Sequence, residues 1–229
     1  MTTYIWCEDT ASGYEFWCKF FEAIEPDAVV ESKGNNSGLR RAVEKIDNSD
    51  NKYIIMVDHA IDNPDVLREL RRLYRLAEDK SNITIVKIFS FELILLSFSL
   101  LEQWVFAEKD ALRDKRSNLL KNKDIFVKAV TQNGNAEDLV LLRKSIGYSD
   151  KYNTELIAAK MLYDITRNTG FETDKKHLGL CFYIDCCKWE ERQSDDICGL
   201  DKNRLEMVTK MVLIMEHSIL KKAFEGVRI

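Results

Sequence analysis

The first ninety residues alternate between short apolar runs and segments whose apolar positions recur at helical spacing. The predicted strands cover residues 4–7, 28–30, 53–57 and 83–88, and the predicted helices between them cover residues 12–23, 39–46 and about 64–78. Such an alternation predicts a parallel sheet with right-handed crossovers and helices on both faces. We therefore expect an α/β fold of the Rossmann-like kind.

After residue 90 the pattern becomes helical. Residues 91–120 predict one long helix that is apolar around most of its first half, and further helices are predicted at residues 124–130, 136–144, 153–168 and 202–224. The chain is thus expected to consist of an α/β domain at residues 1–100 and a helical extension, residues 101–229, packed on it.

Composition and charge narrow the class of protein. Hydrophobic residues make up 45% and charged residues 31% of the 229 positions, which is typical of a globular protein. The apolar stretch 89–107 contains Glu92, Glu102 and Gln103, so it predicts a buried helix and no membrane span. The N-terminus lacks a signal-peptide pattern, and we therefore expect a cytoplasmic protein with reduced thiols.

The net charge of −4 gives the whole molecule no attraction to nucleic acid. Residues 109–128 form the most basic segment, which would be the local surface for a polyanion; a solvated helix face is the alternative interpretation.

Carboxylates follow two of the predicted strands. Glu8 comes directly after the first, Asp58 directly after the third, and Asp62 four residues later. The carboxyl ends of parallel strands meet at one edge of a sheet, where α/β proteins bind ligands. Carboxylate oxygens suit Mg²⁺ or Mn²⁺, and a Glu beside such an ion can act as ligand or as general acid/base. Alternatively, Glu8 and Asp62 could merely cap helices.

The loop at residues 32–38, Ser-Lys-Gly-Asn-Asn-Ser-Gly, lies at the same predicted edge. Glycine permits close backbone approach and a helix N-terminus attracts anions, so Lys33, Gly34 and Asn35 are candidate phosphate-binding residues. The loop matches neither the P-loop nor the dinucleotide-binding spacing. An ordinary turn, with Ser37 as the cap of the next helix, remains the alternative.

Residues 3–100 resemble the Toprim fold of primases, type II topoisomerases, OLD-family nucleases and small defence-associated Toprim proteins. Glu8 matches the Glu after the first strand of that family, and Asp58 matches the first Asp of its Asp-x-Asp. Ala60 stands at the second Asp, and Asp62 is a candidate substitute. The resemblance extends to Phe-Ser-Phe-Glu at residues 89–92, which makes Glu92 a further candidate beside His59.

The resemblance implies Mg²⁺-dependent (or Mn²⁺-dependent) phosphodiester chemistry on nucleic acid, as in a nuclease, with a role in phage defence. Ala60 and the acidic net charge support an alternative, a non-catalytic module that docks a partner protein.

Four cysteines cluster near the C-terminus, at positions 181, 186, 187 and 198. They lack the two paired hooks of a structural zinc site, so we expect Cys181, Cys186, Cys187 and Cys198 to be free thiols.

Overall fold

The structure, a computed structural model, describes residues 1–47, 50–59, 62–107, 110–132, 136–186, 198–201 and 204–227. Its centre is a four-stranded sheet made of β1 (Thr3–Cys7), β2 (Val29–Ser32), β3 (Lys52–Asp58) and β4 (Ile83–Ile88). The strand order is β2-β1-β3-β4 and every neighbouring pair is parallel. The predicted α/β class is therefore confirmed.

Eleven α-helices are found in the described part of the chain. They are α1 (Ala11–Ile24), α2 (Asn36–Glu44), α3 (Pro64–Ala77), α4 (Phe91–Ser97), α5 (Leu101–Val105), α6 (Ala111–Lys115), α7 (Ser117–Thr131), α8 (Ala136–Ile146), α9 (Thr154–Thr166), α10 (Met207–Glu216) and α11 (Leu220–Ala223). Short 3₁₀ turns cover Leu180–Phe182 and Gly199–Asp201.

Alternate residues of the central strands point to opposite faces of the sheet, as strand geometry requires. Ile5 and Met56 belong to the larger core, which includes α1 and the helices that follow β4. Trp6 and Ile55 belong to a smaller core under α2 and α3. Helices thus cover both faces, which explains why the strands read as continuous apolar runs.

The larger core joins the sheet to the C-terminal helices. The ring of Phe16 in α1 lies 6.2 Å from that of Phe91, and the ring of Phe20 lies 6.2 Å from that of Phe224 near the C-terminus. The helical half therefore packs on the sheet through shared aromatic residues. The exact division at residue 100 stays a prediction.

The predicted single helix at residues 91–120 is wrong. The backbone leaves helical geometry at Phe98 (ψ 111°) and again at Phe106 (ψ 133°), and both side chains are buried. The first break is tied to the C-terminal helices, because Ser99 donates to the His217 carbonyl at 3.0 Å and Ile219 donates to Ser97 Oγ at 3.1 Å. A helical segment that is apolar on all sides has no periodic pattern of polar positions, so its sequence does not show where such breaks fall.

The C-terminal helix at residues 202–224 was likewise predicted as one piece. It forms two helices, α10 and α11, with α10 ending before His217, while residues 202 and 203 lie outside the described residues.

The capping of α2 also differs from the prediction. Asn35 caps this helix, its Oδ1 accepting the Gly38 N–H at 2.8 Å, so Ser37 lies inside the helix. The cap of α3 is Asn63, whose side chain accepts the N–H groups of Asp65 and Val66, with Pro64 in the first turn.

None of the helices in the described ranges has the length and apolar character needed to cross a bilayer.

Candidate functional site

A cavity of about 340 Å³ opens at the carboxyl edge of the sheet. Its walls come from the ends of β1 and β3, the loop before α2, the segment after β4 and the start of α9. The volume lies at the lower end of the range for ligand-binding pockets. Five carboxyl groups line it, those of Glu8, Asp9, Asp58, Glu92 and Glu155.

Glu8 and Asp58 lie side by side in this cavity because β1 and β3 are adjacent and parallel. The Glu8 carboxyl lies near the Asp58 side chain and near the backbone N–H of Asn36 at the start of α2, and both contacts act to lower its pKa. Asp58 Oδ1 is buried, and no hydrogen-bond partner for it exists among the described residues. The structure thus places both residues at one edge, as expected, and leaves an unsatisfied acceptor there.

The environment disfavours two negative charges on this pair. Burial, and then the charge of Asp9, raises the pKa of Glu8 to about 7. Burial, followed by the charges of Asp9 and Glu8, raises the pKa of Asp58 well above its usual range. Burial and mutual repulsion therefore disfavour full ionisation of the pair unless a cation compensates the charge.

Asp9 is a cavity residue that the sequence analysis did not single out. Its Oδ2 accepts the indole N–H of Trp17 at 2.7 Å, and burial raises its pKa to about 6. A side chain at Gly13 would place its Cβ 2.6 Å from Asp9 Oδ1, so the glycine leaves room for this carboxyl. Its position directly after Glu8 was the available signal.

The two further candidates, Glu92 and His59, also line the cavity. Glu92 is 5% exposed in the first turn of α4, and burial raises its pKa to about 7. Burial, and then the charge of Lys87, lowers the pKa of His59. The His59 Nδ1 is buried without a hydrogen-bond partner in the described part of the chain.

Asp62 occupies a different position from the one predicted. It is absent from the described cavity lining, and its two carboxylate oxygens accept the Thr154 N–H at 2.9 Å and the Thr154 hydroxyl at 2.8 Å. Asp62 therefore holds the start of α9, and its participation in a metal site stays a prediction without structural support. Ala60, at the position of the second Asp, lies outside the described residues.

The start of α9 and a nearby lysine bring the helical half to the cavity. Thr154, Glu155 and Lys175 line it, and the Lys175 ammonium lies 3.4 Å from Glu155 Oε1. Lys175 is the one Lys or Arg among the described lining residues, and its side chain is about half exposed. Sequence reasoning missed all three, because they lie far along the chain from Glu8.

Two of the three candidate phosphate-binding residues line the cavity. Gly34, with φ +79°, and Asn35 line the cavity. Lys33 lies outside the described lining; its ammonium pairs with Glu31 at 2.7 Å and sits 4.0 Å from the centre of the Trp6 ring. The Gly38 N–H of the α2 start is already occupied by Asn35 Oδ1, and the Asn36 N–H lies near the Glu8 carboxyl.

The donor set fits a hydrated divalent cation better than one enclosed by protein ligands. No group of three or more His, Cys, Asp or Glu side chains in the described ranges could hold a metal ion by itself. Mg²⁺ usually keeps several waters and is bound through one or two carboxylates plus substrate phosphates. Glu8 and Asp58, with the unsatisfied Asp58 Oδ1, supply such a pair.

The basic segment at residues 109–128 is partly structural, and Lys109 lies outside the described residues. Arg116 is buried and donates to the carbonyls of Ile165 and Arg167 at 2.6 Å, while the buried Lys123 donates to the Leu96 carbonyl at 3.2 Å.

Three of the four C-terminal cysteines lie among the described residues. Cys181, Cys186 and Cys198 form no disulfide and are partly buried, whereas Cys187 lies outside the described residues. Their lack of zinc stays a prediction.

Comparison with known proteins assigns no family to the chain. No protein-family model, no curated protein and no solved structure matches it.

Proposed function

We propose that this protein performs phosphodiester chemistry on nucleic acid with the help of Mg²⁺ or Mn²⁺, and that the reaction is strand cleavage. The observation that carries the proposal is the buried Glu8–Asp58 pair at the carboxyl edge of the sheet, with one unsatisfied Asp58 oxygen. A role in phage defence, with a cytoplasmic location, belongs to the same proposal and derives from the resemblance of residues 3–100 to Toprim proteins.

Each residue has a role that its surroundings suggest. Asp58 would bind the cation through its unsatisfied Oδ1. Glu8, whose pKa is raised to about 7 by burial, can accept or return a proton near neutral pH. When bound, the cation would polarise the phosphate and lower the pKa of a coordinated water. Lys175, at the mouth of the cavity, would contact a substrate phosphate.

The test is cleavage of plasmid, single-stranded DNA and RNA by the wild type and by Glu8→Gln, with Mg²⁺ and with Mn²⁺. Gln is nearly isosteric with Glu but cannot act as a base, so the rate should fall by roughly 10²–10⁴. The matched control is Glu31→Gln, at the end of the neighbouring β2 and outside the described cavity lining, which should keep the wild-type rate.

Equal rates in the wild type and Glu8→Gln would remove Glu8 from the mechanism. The absence of cleavage by the wild type on every substrate would instead favour the alternative, a non-catalytic module whose acidic edge docks a partner protein.

A further inference from the structure

The exposed side of α3 carries a row of arginines that the candidate site leaves unexplained. Arg68, Arg71, Arg72 and Arg75 are all exposed. At 3.6 residues per turn they fall within an arc of about 100°, opposite the buried Leu70 and Leu73. We refer to these four residues as the arginine row.

Two of the four arginines form ion pairs and two do not, in the part of the chain that the structure describes. Arg68 pairs with Asp65 at 2.8 Å, and Arg72 pairs with Glu69 at 2.8 Å. Glu69 also pairs with Arg40 of α2 at 2.9 Å, so one carboxylate serves two arginines. Arg71 and Arg75 form no ion pair with any described residue. In a chain of net charge −4, this helix carries four arginines against two acidic residues.

The row starts at the end of α3 that adjoins the cavity. Val66, in the first turn of α3, lines the cavity from the face that also carries the buried Leu70 and Leu73, opposite the row. From Arg68 to Arg75 the helix rises about 10 Å, which corresponds to about three phosphates at 3.4 Å per nucleotide of a strand. A polyanion lying on the row and running toward the first turn of α3 would approach the edge of the sheet where the cavity opens.

We propose that the arginine row binds the sugar–phosphate backbone of a nucleic acid strand and guides it to the cavity, an inference that rests on the proposed function. Guanidinium groups donate two parallel hydrogen bonds to phosphate and stay charged at any physiological pH. A membrane surface is a poorer match, because no large hydrophobic side chain of α2 or α3 is among the exposed ones in the described ranges.

The test is the affinity of the full chain for a fluorescein-labelled single-stranded oligonucleotide, measured by anisotropy in EDTA over a range of salt concentrations. DNA and RNA versions of the strand distinguish the two kinds of nucleic acid. Arg71→Gln/Arg75→Gln should weaken binding at low salt at least about tenfold and reduce the slope of log K against log salt by about 1.4, the value for two phosphate contacts on a single strand.

The matched control is Lys221→Gln/Lys222→Gln, which removes two exposed positive charges on α11 and should bind like the wild type. Arg71→Lys/Arg75→Lys keeps the charge and should retain most of the affinity. Thermal unfolding of each variant shows whether it folds; Arg71 and Arg75 have no ion pair to lose, so the melting temperature should not change.

The proposal is overturned if the wild type does not bind either strand, or if the two glutamine variants lose affinity equally. Binding to vesicles containing phosphatidylserine is measured in parallel. The proposal is also overturned if Arg71→Gln/Arg75→Gln weakens binding to these vesicles but not to the oligonucleotides. Because EDTA prevents metal-dependent cleavage, binding through the row can hold even where the cleavage assay fails, so the two proposals fail separately.

Discussion

The Glu8 carboxyl lies beside the Asp58 side chain at the ends of two adjacent parallel strands. Two carboxylates this close repel each other when both are ionised, and burial raises the pKa of each. A proton or a divalent cation bound at the pair would relieve that repulsion. This exchange of a proton for a cation links stability, pH and metal binding in the predictions below.

The metal-free protein should lose stability as the pH rises from about 5 to 8. Burial raises the pKa of both Glu8 and Glu92 to about 7, so the folded state binds more protons than the unfolded state in this window. The slope of the free energy of unfolding against pH is proportional to the number of protons bound by the unfolded state minus the number bound by the folded state. That difference is negative here, so the free energy of unfolding falls as the pH rises. Thermal unfolding in EDTA at several pH values measures the effect.

Adding Mn²⁺ at pH 8 should restore part of the lost stability, since a ligand that binds the folded state stabilises it. A melting temperature that rises from pH 5 to pH 8 in EDTA would contradict the assignment of raised pKa values to these carboxyls.

Glu92→Gln should stabilise the metal-free protein at pH 8 and have little effect at pH 5. Glu92 is 5% exposed, and a rise of its pKa from 4.5 to about 7 corresponds to at most about 3 kcal/mol when it must ionise. Gln keeps the shape without the charge. Urea unfolding at both pH values tests this, with Glu78→Gln, an exposed position just after α3, as the control. Destabilisation at pH 8 would show that the Glu92 charge is compensated by an ion pair or cation.

Asp62→Ala should lower the free energy of unfolding by about 1 kcal/mol and leave any metal-induced stabilisation intact. Both Asp62 oxygens accept hydrogen bonds from Thr154 at the start of α9, whose N-cap is Asn153, so the residue holds the start of that helix in place. The measurement is urea unfolding with EDTA and with Mn²⁺. Loss of the Mn²⁺ effect in this variant would return Asp62 to the metal site.

Gly38→Ala should destabilise the fold by about 1–3 kcal/mol, although alanine is normally the better helix former. A Cβ at this position would collide with the backbone carbonyl of Lys33. Relief of that collision would shift the start of α2, including Asn36, whose N–H lies near Glu8. Urea unfolding should show the loss for Gly38→Ala but not for Ser37→Ala at the exposed neighbouring position. Equal free energies of unfolding for the two variants would mean that the loop can move away from the added Cβ at no cost.

Much of the fold could be predicted from the sequence, because strands buried on both faces read as apolar runs and α1 to α3 are amphipathic. The breaks at Phe98 and Phe106 could not. They depend on which distant helix each ring packs against, and an all-apolar segment looks the same at its helical and non-helical residues.

The site could be predicted only where it follows the strands. Glu8 and Asp58 are found from the rule that ligands bind at the carboxyl ends of parallel strands. Glu155 and Lys175 reach the cavity through the packing of α9, which no local pattern encodes. The hydrogen bonds of Asp62 could not be predicted for a similar reason, since its partner Thr154 lies 92 residues away.

The most direct test of the divalent site at Glu8 and Asp58 is calorimetric titration of Mn²⁺ into the wild type, Asp58→Asn and Asp62→Asn at pH 8. Both variants remove one negative charge and keep the side-chain shape. The wild type and Asp62→Asn should bind one ion with similar affinity, and Asp58→Asn should bind it at least tenfold more weakly, a difference of about 1.4 kcal/mol. Equal binding by wild type and Asp58→Asn, or no binding by the wild type, would contradict a metal site at this edge of the sheet.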